Sequence, residues 1–464
     1  MIFPLVGGAY KSRFPGWDGQ RLVNMYVEAG SSGSKTPAML VGTPGLKPFA
    51  TLNALGGEVR GMKSANDHLY AVCGNTLHKI TAAGVVSTVG TLETSTGPVD
   101  IEDNGLELYV GDNPSGYVLN YSTGVFGKIT DADWPGAAVA SYIDGYVVLI
   151  IPETGRFAIT GLYAGGSIDA LDVASAEGSP DDLVSVLVDH REVWLFGERT
   201  TEVWFNSGAA DFPLERVSGG FLEIGCQAAR SVAKLDNSVF WLTDQGTICR
   251  AAGYAPQIVS TRAVEYQIST YANRSNARAF SYHQHGHAFY VLTFDESTWV
   301  YDAATGEWHE RQSYGMTRWR ANCHEAFAGL QLVGDLFSGK VYSLDDNTFD
   351  EDGAILPAIR VTPPVAAEAA RVFMSELQVD FQAGVGLNTG QGSDPQAILA
   401  WSDDGGNTWS NEHWRPIGRM GQYTARAIWR RLGSFRNRMF RLTITDPVRR
   451  CIVGAYAKIE KGAH

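Results

Sequence analysis

No run of about 18 or more apolar residues occurs anywhere in these 464 residues, so hydropathy offers no helix able to cross a bilayer. Cysteine is scarce. The five present (Cys73, Cys226, Cys249, Cys323 and Cys451) are scattered, odd in number and form no CxxC pair. They read as small buried hydrophobes of a reducing compartment rather than as a disulfide frame or a metal set. Helical periodicity is also missing, since no long segment keeps apolar residues at i, i+3, i+4 and i+7. The first residues, MIFPLVGGAYKSRF, lack a charged region followed by an apolar one, which argues against a signal peptide. GxxxxGK[ST], GxGxxG after a strand and GxSxG are absent, and no convincing nucleophile–base pair stands out.

Glycine and tyrosine are plentiful, 52 and 19 residues, as many short strands and tight turns require. Val193–Gly208, VWLFGERTTEVWFNSG, sets two apolar-aromatic runs around a polar turn at Glu198–Thr200, the pattern of a β-hairpin. The same pattern returns at Leu69–Thr81, Leu106–Tyr121, Tyr146–Gly161, Val239–Gly253, Ala288–Tyr301 and Leu332–Leu344. The seven hairpins recur roughly every 40–50 residues, the interval of propeller blades. Such units cannot bury their faces singly and cover one another when arranged radially. The expected fold is all-β: a propeller of six or seven blades, with closure able to borrow an N-terminal strand, followed by an antiparallel β-sandwich. Residues 1–50, in which Arg21–Glu28 is the one convincing strand, form an arm that packs on other elements or subunits. Residues 51–350 form the propeller, and 351–464 the sandwich, beyond the acidic break at Thr348–Gly353.

Charge is unevenly placed. From Ser410 to His464 there are twelve Lys/Arg and three Asp/Glu, a balance of +9, against −22 for the other 409 residues. An acidic body with a basic end bears on partners rather than fold, and it argues against a general DNA-binding surface.

Four constellations carry possible chemistry. Ser402, Asp404, Gly406, Thr408 and Trp409 fit the Asp-box pattern S-x-D-x-G-x-T-W, in which polar side chains bond the turn backbone; it reads as a structural turn, with a sialidase-like site as the rival. His283, His285 and His287 would share one strand face and could meet a metal, although Gly286 weakens the strand and no ligand nearby completes the set. Asp345, Asp346, Asp350, Glu351 and Asp352 lack EF-hand spacing and read as a solvated acidic loop. Arg430, Arg431, Arg436, Arg438 and Arg441, with Arg449 and Arg450, are the densest basic stretch. They suit nucleic acid, plain solvation, or an interface with acidic surface on a neighbouring copy or adaptor, and the acidic body favours the last. No cofactor-binding, metal or catalytic residues are assigned.

Arg21–Glu28, RLVNMYVE, and Gly42–Leu52, GTPGLKPFATL, are followed in order by Ala174–Gly208 and by Trp429–Tyr456, WRRLGSFRNRMFRLTITDPVRRCIVGAY. Together these stretches resemble the packaged-DNA stabilisation proteins, the tail-hub or nozzle proteins of short-tailed bacteriophages. The resemblance implies a propeller body and a homo-hexameric ring below the portal and the head-to-tail adaptor protein. It also implies contact with tail needle, tail fibre or tailspike proteins. Such a protein is a virion component of the phage tail, assembled in the host bacterial cytoplasm, with no membrane insertion by this chain and no catalytic residues. Its ring retains packaged DNA and conducts it at ejection, so double-stranded DNA passes the lumen without specific binding. The loops of Glu177, Asp181, Asp182, Glu198 and Arg199 are then the candidate inter-chain contacts. A carbohydrate-active propeller enzyme or lectin is the alternative, suggested by the Asp box and the aromatic content.

Overall fold

The computed structural model describes residues 2–176, 178–367 and 370–462. Each predicted hairpin is the second and third strand of one blade. Blades one to five are separate four-stranded antiparallel sheets, opening with Val59–Ala65, Asp100–Asp103, Ala140–Ile143, Leu183–Asp189 and Ala233–Leu235. Blade six runs from Arg278–Gln284 to Glu307–Arg311, and blade seven takes three strands from Ala321 to Asp345. The fourth strand of blade seven is Gly45–Thr51, antiparallel to Lys340–Asp345, so the two ends of the propeller chain close one sheet. The described residues form seven blades. First strands touch in turn from blade one to four, and again from five through seven back to one, about a common axis.

Blade four explains why the hairpin runs are apolar rather than alternating. Val193 and Leu195 pack toward blade three with Val148, Ile150 and Phe157. Trp194 and Phe196 pack the other way, against Val239 and Trp241 of blade five. With a neighbour on each side, both faces of a strand are core, and each large side chain so covered contributes about 1.5–3 kcal/mol. The single helix among the described residues, Arg262–Ser269, bridges blades five and six and is capped by Thr261, whose side chain accepts from the Val264 N–H.

The sandwich is built from both ends of the chain. One sheet orders Gly19–Val23, Ala358–Val361, Asn437–Ile444, Gln396–Ser402 and His413–Pro416. The other orders Met25–Ala29, Ala38–Gly42, Cys451–Lys461, Val372–Phe381 and Ala427–Arg430. The stretch Arg21–Glu28 is therefore two strands in two sheets. The break is Asn24, whose φ of 55° turns the chain and whose buried amide donates to the carbonyls of Gln312 and Pro357, 2.8 Å each. Val23 also pairs in parallel with Glu310, so blade six continues directly into the sandwich sheet. Arg360, buried, donates to the carbonyls of Leu5 and Gly8 at 2.7 and 2.9 Å and so pins the N-terminus onto the sandwich.

Candidate functional site: the propeller axis and the sandwich arginines

The propeller axis is crossed by ion pairs. Arg230, just ahead of blade five, forks onto both carboxylate oxygens of Asp100 in blade two and donates to the Ala138 carbonyl at 3.1 Å. Arg278 of blade six reaches Glu58 at 2.5 Å, and Lys63 meets Glu102 at 2.8 Å. Arg60, fully buried, donates to Asp112 and to the carbonyls of Gly74, Thr94 and Gly97. The cavity these groups leave is about 240 Å³, with Arg60, Asp100, Glu102, Arg230 and Arg278 among its walls. This cluster has no signature in the sequence, because Arg230 and Asp100 stand 130 residues apart and neither belongs to a motif. Chemically, the axial carboxylates are held as acceptors of guanidinium and ammonium donors, which suits mutual blade fixation rather than proton transfer.

The basic stretch divides. Arg438 and Arg450 are buried within the chain, which corrects their assignment to an exposed basic surface. Arg438 forks onto Asp403 at 2.5 and 2.7 Å, donates to the Leu432 carbonyl, and stacks 4.4 Å over Phe435. Arg450 donates to the Leu356 carbonyl, and burial pushes its pKa down to about 10. For Arg438 the cause is position: Asn437–Ile444 is an inner strand, flanked by Ala358–Val361 and Gln396–Ser402. Arg441 lies half-buried, 4.4 Å over the Trp409 ring. Arg430 is exposed and shares Glu376 with Lys458, at 3.0 and 2.9 Å. Arg431, Arg436 and Arg449 are exposed.

The loops of blade four are bonded to each other. Asp181 accepts from the Arg199 and Thr200 N–H groups at 2.8 and 3.0 Å, and the Glu198 N–H donates to the Asp182 carbonyl. Asp182, Glu198 and Arg199 remain exposed above that frame, and Glu177 lies outside the described residues. The Asp box forms a closed turn. Asp404 accepts from the Ser402 hydroxyl and from the Thr408 N–H and hydroxyl, at 2.7, 2.9 and 2.6 Å, while the Gly406 N–H donates to Ser402. Those donors, led by Thr408, hold the Asp404 carboxyl down at about 2.

The three histidines do not share a face, because a hairpin turns between them: Gln284 pairs with His287, and His285 sits in the turn at a φ of 51°. His283 and His285 are exposed, whereas His287 is buried between Asp302 at 2.7 Å and Glu28 at 2.9 Å. The Asp302 hydrogen bond, opposed by burial and aided by Glu28, raises the His287 pKa to about 8. Because Asp302 belongs to blade six and Glu28 to the sandwich, this histidine clamps the two bodies. The acidic residues disperse likewise. Asp346 meets His285, Asp352 meets Lys340 at 2.6 Å, and buried Glu351 accepts from the Trp319 indole at 2.9 Å.

The solved structures similar to this chain are distant. The chain shares a TM-score of 0.43 and 11% identity with the WD40 propeller domain of Doa1, covering 65% of this chain and 96% of that one. It shares 0.46 and 11% with the extracellular domain of a putative hybrid two-component system, BT4673, from B. thetaiotaomicron, over 82% of this chain and 47% of that one. The WD40 domain of Neurospora crassa Pan2 gives 0.42 and 7%, over 65% and 95%. No curated protein matches the chain. The family models place it more closely. Residues 1–349 match the bacteriophage P22 Gp10 β-propeller, and residues 358–460 match the bacteriophage P22 Gp10 β-sandwich. With both domains matched in order over nearly its whole length, this chain belongs to the bacteriophage P22 Gp10 family and is a structural protein of a phage tail.

Proposed function

We propose that this protein forms a homo-hexameric nozzle beneath the portal–adaptor complex, retaining packaged DNA and forming the channel for its ejection. The observation that carries this reading is the match of both domains, in order, to one phage tail family. The closed axis supports it. With Arg230 bonded across to Asp100 in a cavity of about 240 Å³, a duplex has no path through a single propeller, so a conduit requires several copies around a shared axis. The partners are then the head-to-tail adaptor above and the needle, fibre or tailspike proteins below. The lumen wall is rich in Asp and Glu, because each Lys or Arg contact with phosphate would add salt-sensitive affinity and drag. The role is structural rather than enzymatic, and the Asp box, saturated by its own turn, serves the fold.

Mass measurement of the purified protein with and without its adaptor tests this. Six copies per adaptor ring support the nozzle, whereas a monomer that stays monomeric with the adaptor overturns it.

A further inference from the structure

Arg450 lies buried at the seam between propeller and sandwich, just ahead of the strand Cys451–Lys461. It is fixed from one side only. Its Nη1 donates to the Leu356 carbonyl at 2.5 Å, and its guanidinium stands 5.9 Å over the Phe349 ring. Its Nε and Nη2 are buried with no hydrogen-bond partner among the described residues. Those two N–H groups form the edge of a guanidinium that grips two oxygens at once. Elsewhere this chain gives that edge to carboxylates. Arg21 takes Glu310 through Nε and Nη2 at 2.9 and 2.6 Å, Arg320 takes Asp335 at 2.9 and 2.8 Å, and Arg438 takes Asp403 at 2.5 and 2.7 Å.

The Arg450 edge borders a pocket of about 310 Å³, whose walls include Tyr26, Val41, Phe349 and Cys451. Gly42, also in the wall, leaves Nε uncovered, since a Cβ there would lie 3.0 Å from it. The carboxylates of the pocket are already engaged. Glu28 accepts from His287 at 2.9 Å, and Asp346 accepts from the Gln284 amide at 2.6 Å and pairs with His285. The internal rival is Glu351, whose charge bears on Arg450 but which accepts from the Trp319 indole at 2.9 Å instead. Two more cations add to the field: Arg449, exposed on the pocket wall, and buried Arg311, which donates to the Pro44 carbonyl at 3.0 Å. The pocket thus offers a forked donor, positive charge and apolar walls. That selects a planar carboxylate on an apolar body over phosphate, whose remaining charged oxygens would be desolvated against Tyr26, Val41 and Phe349. The volume is that of a small-molecule site.

We infer that the propeller–sandwich seam is a binding site for a carboxylate carried on an apolar body, gripped by Nε and Nη2 of Arg450. A free organic acid and a carboxylate of a neighbouring tail protein share this chemistry.

The test measures benzoate binding to the purified full chain by titration calorimetry, with benzamide as the uncharged isostere and inorganic phosphate as the second oxyanion. Benzoate should bind, with benzamide and phosphate about tenfold weaker or more. Arg450→Lys, which keeps the charge and loses the fork, should weaken benzoate by about tenfold. The site is also located in the wild type, so that a misfolded variant decides nothing. Irradiated 4-azidobenzoate should label peptides containing Met39–Gly42 or Phe349, and excess benzoate should protect them. Labelling that persists in assembled tails assigns the site to a free acid, and labelling confined to the isolated chain assigns it to a carboxylate of a neighbouring tail protein. The inference is overturned if benzoate binds no better than benzamide or phosphate, if a folded Arg450→Lys binds it as the wild type does, or if the label falls only on other segments.

Discussion

The His287 clamp makes the stability of this protein depend on pH in a direction that can be stated in advance. The ring is buried between Asp302 of blade six and Glu28 of the sandwich, and its pKa rises from 6.5 to about 8. Two of the groups near it lie outside that window. His309 is held neutral by burial, its pKa pushed down to about 3, and the Tyr26 hydroxyl is pushed upward by burial. Asp302 is lowered by its hydrogen bonds to His287 and Thr305, although burial works against them. Each pKa unit is about 1.36 kcal/mol, so the protonated clamp contributes about 2 kcal/mol. Because the folded pKa lies above the unfolded one, that contribution is complete below pH 6.5 and is lost as the pH rises through about 8. Urea unfolding of the wild type and His287→Gln, followed at steps from about pH 6 to about pH 9, isolates the term. The expected result is a wild-type advantage that shrinks by about 2 kcal/mol across the series. A difference between the two proteins that does not change with pH would refute the reasoning.

The arginine stretch should separate by burial. Arg438→Ala leaves the buried Leu432 carbonyl without its donor and removes the stack on Phe435, and should cost about 1–3 kcal/mol, whereas Arg430→Ala removes an exposed arginine and leaves Glu376 paired with Lys458, and should cost less than about 1 kcal/mol in the same urea assay. Arg230→Gln should loosen the axis, seen as faster amide exchange in Asp100–Asp103 and Ala140–Ile143, with unchanged exchange there counting against an axial lock. Trp194→Ala removes a ring buried between blades four and five and should destabilise the protein by about 3–5 kcal/mol; a loss under about 1 kcal/mol would contradict that packing. Asp404→Ala should speed exchange at the Gly406 and Thr408 amides while leaving the propeller hairpins protected.

The blades were legible because a repeated hairpin writes the same apolar runs at a fixed interval, and seven such runs became seven sheets. Local patterning could not say which strands complete a sheet. Gly45–Thr51 joins blade seven across nearly the whole propeller, and Arg21–Glu28 reads as one strand until Asn24 turns it with a positive φ. The basic stretch was legible as composition and illegible as surface, since a guanidinium on an inner strand looks the same in sequence as one in water. Arg438 packs on aromatic rings inside the sandwich and reaches Asp403 at its surface, while Arg436, two residues earlier, is exposed. The HxHxH spacing suggested one face, but Gly286 made a turn there instead of merely weakening a strand. The axial pairs left no local trace, as their partners come from different blades.

The hexameric nozzle is tested most directly by a reconstruction of the assembled phage tail by electron cryomicroscopy, with this chain fitted into the density. Six copies in a closed ring beneath the adaptor are expected, with DNA running between them rather than through any propeller, and an inner wall dominated by Asp and Glu. A single copy on the tail periphery, or a lumen lined continuously by Lys and Arg, would contradict it.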